Sequence, residues 1–62
     1  MEREQQKDEF LPVSGVSEIL RVSRAQVYNM VKRAELPAYD FGGVLRVARK
    51  DLDEFIERSR NQ

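Results

Sequence analysis

Apolar residues follow a helical period in two runs near the start of the chain. The first run predicts a helix over 13–20, because its apolar residues recur at spacings of three and four: Val13, Val16, Ile19 and Leu20. Pro12 could occupy the first turn of this helix, or Ser14 could cap a slightly later start. The start of the first helix is therefore open by several residues.

The second run begins after a turn of only three residues, Arg21-Val22-Ser23. Ser23 and Gln26 have the spacing of a capping box, which predicts that a helix begins just after Ser23. Three apolar residues share one face of this helix: Val27, Met30 and Val31. Leu36-Pro37 ends it, because proline has no N–H to donate and disfavours helical backbone before it. Two helices joined by so short a turn must cross steeply, which predicts a helix-turn-helix motif.

After Pro37 the apolar residues alternate with polar ones. Strands are predicted over 38–41 and 44–48, joined by Gly42-Gly43, because glycine accepts the positive φ of a tight two-residue turn. The alternation predicts four side chains that face inward: Tyr39, Phe41, Leu45 and Val47. A final run predicts a closing helix over 50–59, with apolar residues three and four apart: Leu52, Phe55 and Ile56.

The predicted fold is mostly α with a small β-hairpin, a winged helix-turn-helix in the order helix, helix, β-hairpin wing, helix. Residues 10–59 form the predicted domain, between a disordered tail over 1–9 and a frayed end over 60–62. A lone hairpin is marginal in water, so hairpin and helices must share one core. The predicted core residues are Leu11, Val16, Ile19, Leu20, Val22, Val27, Val31, Leu36, Phe41, Val47, Leu52, Phe55 and Ile56.

Composition removes several classes of function. The chain has no cysteine and no histidine, so disulfides, thiolate zinc sites and the usual catalytic base are all missing. We therefore expect no enzymatic activity, no cofactor and no bound metal. Since no apolar run reaches the roughly 18–20 residues of a membrane span, and the charged start differs from a signal peptide, we expect a cytoplasmic protein without a membrane partner.

The formal net charge is zero, but the charge is unevenly distributed. Residues 21–50 carry a net charge of +5, whereas 1–9, 10–20 and 51–62 carry −2, −1 and −2. A basic centre on a neutral protein is a possible electrostatic footprint for nucleic acid.

The second helix presents nucleic-acid-reading side chains on the face opposite its apolar residues. With a step of about 100° per residue, the outward positions are Arg24, Ala25, Tyr28, Asn29, Lys32 and Arg33, with Gln26 near the boundary. Amide and guanidinium groups can bond to base edges, and lysine suits backbone phosphates. On the hairpin, Arg46 points outward, and with Gly43 and Val44 it forms the predicted wing contact. An ordinary solvated helix face and a surface arginine on an edge strand are the alternative interpretations.

The stretch from Leu11 to Glu57, about three quarters of the chain, resembles the excisionase-type helix-turn-helix family, relatives of the MerR DNA-binding domain. The matching segments, in order, are E-I-L, R-V-S, S-R-A-Q-V-Y, L-P, G-G-V-L-R-V and R-K-D-L-D-E-F-I. The resemblance implies that the second helix enters the major groove and the wing contacts the adjacent backbone or minor groove. It assigns these contacts to Arg24, Gln26, Tyr28, Asn29, Lys32, Arg33 and Arg46.

Four positions depart from the family pattern. Arg21 and Ala34 stand where members often have glycine, and Ala48 where proline is common. Asp40 stands where the first wing strand often has a basic or apolar residue, and an acid facing DNA would repel phosphate. The first three departures bear on stability and the fourth on the contact of the wing.

A domain of this kind standing alone resembles excisionases, which bind repeated sites cooperatively, bend DNA and steer an integrase toward excision. Double-stranded DNA is then the expected partner, with an integrase as a further partner and self-association on DNA. MerR-like regulators add a dimerisation helix and an effector module, whereas about a dozen residues follow the wing here, so we expect no small-molecule effector. A small transcriptional regulator of the same fold and a protein-interaction adaptor are the alternatives.

Overall fold

The computed structural model describes residues 9–60, in which six elements follow one another. They are β1 (Phe10–Pro12), α1 (Val13–Leu20), α2 (Arg24–Lys32), β2 (Tyr39–Asp40), β3 (Leu45–Ala48) and α3 (Arg49–Arg58). This is the predicted winged helix-turn-helix with one strand added at its start, so the fold class is confirmed. Except for Glu9 and Arg60, the predicted tail and frayed end lie outside the described residues. Within 9–60, no helix is long and apolar enough to cross a membrane.

The helices of the motif begin where local sequence signals indicate. α1 spans 13–20 as predicted, with Pro12 as its N-cap in extended backbone, so the later start at Ser14 was wrong. At the start of α2, the Gln26 N–H donates to Ser23 Oγ at 3.1 Å, which confirms Ser23 as the cap. This bond satisfies one of the N–H groups that a helix start leaves without a partner.

The C-terminal end of α1 turns at Arg21, which has a left-handed backbone with φ 61° and ψ 44°. Both the Arg21 and the Val22 N–H donate to the Ser17 carbonyl, the second at 3.0 Å. A residue of positive φ with a hydrogen bond reaching five residues back is the Schellman type of helix end. The tight turn of the helix-turn-helix motif follows from this geometry.

Helix α2 ends in the same way, at Lys32, before the predicted end at Leu36-Pro37. Ala34 has φ 61°, and the Glu35 N–H donates to the Met30 carbonyl at 2.9 Å. The left-handed residue turns the chain out of the helix before the proline can act, which explains the earlier end. Helix α3 is one residue earlier than predicted at both ends.

The sheet has three antiparallel strands in the order β1-β3-β2, so β3 is central. Leu11 pairs with Val47, and Pro12 pairs with Arg46 on the edge strand β1, where the missing N–H of proline is tolerated. β1 was not predicted, because three residues are too few to establish a period. It turns the expected lone hairpin into a three-stranded sheet.

The two-glycine turn is confirmed, but the predicted inward face of the hairpin was half wrong. Gly42 and Gly43 have φ of 66° and 92°, and the Phe41 N–H donates to the Val44 carbonyl at 2.9 Å. Across such a turn odd positions pair with even ones, as in Tyr39 with Arg46. Tyr39 and Phe41 therefore lie on the face opposite Val47, and both are about half exposed.

One cluster of buried side chains joins the helices to the sheet. Its members are Val13, Val16, Val27, Leu36, Val47 and Leu52, with Leu11, Leu20, Val22, Met30, Val31, Ala38, Leu45 and Phe55 packed against it in half-buried positions. Ile19, Phe41 and Ile56 were predicted in this core and are exposed instead. Ile19 lies at the margin of the α1 face that is centred on Val16 and Val13. Val13 was not in the predicted core and is buried.

Candidate nucleic-acid interface

Helix α2 and its C-cap residue Arg33 expose every side chain that was predicted to point outward. The exposed residues are Arg24, Ala25, Gln26, Tyr28, Asn29, Lys32 and Arg33. The opposite face is anchored in the core by Val27, which has no exposed surface, and by half-buried Met30 and Val31. Because the helix is fixed by its apolar side, the polar face is presented at a defined orientation to a ligand.

An open groove separates α2 from the hairpin. It is lined by Pro12, Val13, Ser14, Arg24, Tyr28, Gly43, Val44, Leu45 and Arg46. Five of the predicted contact residues are brought together here: Arg24 and Tyr28 on one wall, and Gly43, Val44 and Arg46 on the other. The other predicted residues lie outside this groove: Ala25, Gln26, Asn29 and Lys32 on α2, and Arg33 at the C-cap that follows it.

The cationic groups of this surface differ in how they are paired. The Arg33 Nε lies 3.2 Å from a carboxylate oxygen of Glu35, and both side chains are well exposed. Within residues 9–60, no carboxylate lies within ion-pair distance of Arg24, Lys32 or Arg46. An exposed ion pair contributes little to stability, so Arg33 can exchange Glu35 for another anion at small cost.

Asp40, the acidic departure in the wing, has a structural partner. Its Oδ1 accepts a hydrogen bond of 2.6 Å from the Gly43 N–H. The carboxylate thus bonds the backbone of the glycine turn, as aspartate side chains commonly do in turns. This contact keeps the two strands of the wing at a fixed register.

Arg46 lies in the central strand, on the face opposite Val47, with Pro12 beside it on one edge strand and Tyr39 on the other. Its side chain is half-buried, so the neighbouring strands restrict where the guanidinium group can move. The restriction lowers the entropy that is lost when the group binds an anion.

Sequence reasoning missed the aromatic cluster on the same face of the sheet, formed by Phe10, Tyr39 and Phe41. Ring centroids lie 5.3 Å apart for Phe10 and Tyr39, 5.4 Å for Phe10 and Phe41, and 6.1 Å for Tyr39 and Phe41. Ala48 lies on this face by its pairing with Phe10, and its small side chain is buried. The odd-to-even pairing of a two-residue turn was the available signal.

The comparisons with known proteins agree with this architecture. A family model described as a helix-turn-helix domain matches residues 10–60. A relative in each of two strains of Mycobacterium tuberculosis, named as an inferred DNA-binding protein, is 37% identical over 59 residues, which cover 95% of this chain and 76% of the relative. The uncharacterised protein YvgK of Bacillus subtilis is 35% identical over 48 residues, covering 77% of this chain and 16% of YvgK.

No solved structure gives a significant match to the chain. The family match spans all six elements, from the first residue of β1 to beyond the end of α3. It includes the capped start of α2, the two-glycine turn and the groove between them. By this match and by its mycobacterial relatives, the chain belongs to the helix-turn-helix domain family, as its resemblance to the excisionase-type proteins predicted.

Proposed function

We propose that this protein binds double-stranded DNA and does not catalyse a reaction. Helix α2 enters the major groove, where Arg24, Gln26 and Asn29 read base edges. Lys32 and Arg33 contact phosphates, and Tyr28 contacts the sugar-phosphate backbone. Gly43, Val44 and Arg46 form the wing contact, while Ala25 leaves room for close approach of the helix. Because the ligand is DNA, we propose a cytoplasmic location.

The observation that carries this proposal is the groove between α2 and the hairpin. Arg24 and Tyr28 face Gly43, Val44 and Arg46 across it, so helix and wing open toward the same side of the molecule. A ridge of sugar and phosphate would fit between two such walls, with one nucleic-acid groove on either side. The relatives named for DNA binding support the same ligand.

The binding test is fluorescence anisotropy of a labelled mixed-sequence duplex, titrated at two salt concentrations. We expect binding that weakens steeply with salt, since phosphate contacts release counterions. The double variant Arg24→Ala with Arg46→Ala should bind far more weakly, because it loses one base contact and one backbone contact. Its salt slope should be smaller by about one, for the phosphate contact of Arg46.

The matched control is Arg58→Ala with Arg60→Ala, which removes the same charge from the end of α3. Arg60 is paired with Glu57 there, and Arg58 donates to the Glu35 carbonyl, both away from the groove. This control should lose little affinity. A folded protein that binds no duplex at low salt would contradict the proposal, as would equal losses in the two double variants.

We further propose that the protein acts as an excisionase. It binds repeated sites cooperatively, bends DNA and promotes excision by an integrase, without a small-molecule effector. The segments that resemble excisionases support this role, from E-I-L at the end of α1 to G-G-V-L-R-V in the wing. A single small domain buries only about 600–1,000 Å² on DNA, so its affinity for one site is modest. Cooperative binding at neighbouring sites would raise the affinity for DNA that carries several sites.

Deletion of the gene tests this role. Two quantities are measured: excision of the mobile DNA element that carries the gene, and the levels of transcripts from neighbouring genes. Loss of excision with unchanged transcripts is the expected result. Changed transcripts with normal excision would replace the excisionase role with that of a transcriptional regulator, and DNA binding would stand in either case.

A further inference from the structure

The tip of the hairpin is apolar where hairpin tips are ordinarily polar. Phe41 and Val44 flank the two glycines, with 52% and 46% of their surfaces exposed. Phe41 is the most exposed large hydrophobic residue within 9–60. Two apolar side chains exposed side by side at a turn form a small apolar patch, and apolar patches on a protein surface commonly mark a binding site.

The tip is also narrow. Gly42 and Gly43 carry no side chains, and the positions where their Cβ atoms would lie have no neighbour within 4 Å. The DNA minor groove is only about 6 Å wide, so a slender tip is needed for an element that enters it. The hydrogen bond from the Gly43 N–H to Asp40 holds the tip in this shape.

The aromatic cluster supports Phe41 from behind. The Phe41 ring meets Phe10 edge to face, with an interplanar angle of 80°, and stacks on Tyr39 at 9°. A ring that is held on two sides loses little conformational freedom on binding. Phe41 is therefore an apolar group already positioned at the end of the wing.

The tip is continuous with the groove of the proposed DNA interface, because Gly43 and Val44 line that groove together with Arg24 of α2. We propose that Phe41 and Val44 form an apolar wedge that enters the minor groove beside the α2 site and partly unstacks one base-pair step. Apolar wedges of this kind kink the duplex toward the major groove. Such a kink bends the duplex toward α2, which lies in the major groove. Arg46 then contacts the phosphate backbone beside the wedge.

This inference rests on the proposed DNA binding and assigns the bending of that function to named side chains. It also accounts for the acid in the wing, because Asp40 is tied to the turn backbone, whereas the groups at the leading end are apolar. A polar or charged tip could contact the groove, but it would not replace the stacking that is lost between two bases.

The test uses a duplex of about 25 base pairs selected for wild-type binding from a mixed library, with a fluorescence donor and acceptor at its two ends. Bound wild-type protein should raise the transfer efficiency, because bending brings the ends together. A scan with 2-aminopurine should show one step whose fluorescence rises several-fold on binding, as expected of an unstacked base.

Three variants separate the wedge from folding. Phe41→Ser and Val44→Ser should each reduce the rise in transfer efficiency by more than half and weaken binding about tenfold. Phe41→Leu should keep the bend, since leucine also serves as a wedge. Ile56→Ser is the matched control, because Ile56 is 39% exposed on α3, outside the groove, and should behave as wild type. Circular dichroism confirms folding, and Val44 is not a member of the aromatic cluster on which the hairpin packing depends.

Straight DNA in the wild-type complex would overturn the wedge and leave DNA binding intact, whereas no binding to any duplex would overturn the proposed function itself. If Phe41→Ser and Val44→Ser bend DNA as wild type does, the wedge is also overturned. If those variants lose only the steepness of binding to a two-site duplex, the apolar tip is a contact between copies of the protein and not a wedge.

Discussion

At the scale of single residues, the backbone is strained at the two helix ends where this chain has another residue in place of the glycine common in the family. Arg21 and Ala34 both have φ of 61°, a region in which a Cβ approaches the following carbonyl oxygen. The family pattern of glycine at these positions has its physical reason here. The chain keeps both helix ends with non-glycine residues because the hydrogen bonds to Ser17 and Met30 hold them there.

Replacing either residue with glycine should stabilise the protein. Relief of left-handed strain contributes about 1–2 kcal/mol, and the greater freedom of glycine in the unfolded chain costs roughly 0.5–1 kcal/mol. We therefore expect Arg21→Gly and Ala34→Gly each to raise the free energy of unfolding by about 0.5–1 kcal/mol, measured by urea denaturation.

Glu54→Gly is the control for this pair, because Glu54 is exposed in the middle of α3, where glycine carries only the entropic cost. It should destabilise the protein by about 1 kcal/mol. If the variants at 21 and 34 were destabilised as much as this control, the positive φ at those positions would not be a source of strain.

At the scale of elements, signals within a few residues predicted the helices, whereas the sheet needed partners distant in the sequence. Ser23 and Gln26 located the start of α2 because a cap acts on the adjacent turn. β1 escaped prediction because its three residues gain stability only by pairing with β3, more than thirty positions along the chain. The groove between α2 and the wing also depends on packing between distant parts of the chain. The sequence therefore indicated which residues contact a ligand, but not that α2 and the wing face each other across a groove.

Substitutions of Asp40 in the wing separate two effects of this residue: its hydrogen bond to the turn and the repulsion of phosphate by its charge. Asp40→Ala removes the acceptor of the Gly43 N–H and should cost about 1 kcal/mol of stability. Asp40→Asn keeps an oxygen acceptor without the charge, so its stability should stay near that of wild type. With one negative charge fewer beside phosphate, Asp40→Asn should bind duplex DNA several-fold more tightly at low salt.

Thermal unfolding and anisotropy on the same samples give both quantities. Asp51→Asn is the control, since it removes a carboxylate from the first turn of α3 and leaves the wing intact. Equal affinities for Asp40→Asn and wild type at low salt would mean that the carboxylate lies too far from the bound backbone to repel it.

At the scale of the whole molecule, six buried side chains hold together two helices, a connecting loop, a central strand and a closing helix. A domain of this size buries only about 60% of the surface that its unfolded chain exposes, so its stability is small. Within residues 9–60, α2 packs on this core alone, and the wing has in addition only the partly exposed aromatic cluster. The DNA-binding surface and the closing helix α3 should therefore unfold together.

Leu52→Ala tests this cooperativity, because Leu52 is the fully buried contact of α3 with the shared core. Truncating a buried leucine costs about 2–5 kcal/mol, and the expected total for 62 residues is only about 3–9 kcal/mol. We expect the amide signals of α1, α2 and the wing to lose hydrogen-exchange protection together with those of α3, although none of these elements is altered. Ile56→Ala on the same helix is the control and should cost less than about 1 kcal/mol, because that side chain is partly exposed. If Leu52→Ala removed protection from α3 alone, α1, α2 and the wing would form an independent core. The closing helix would then be dispensable for presenting the groove.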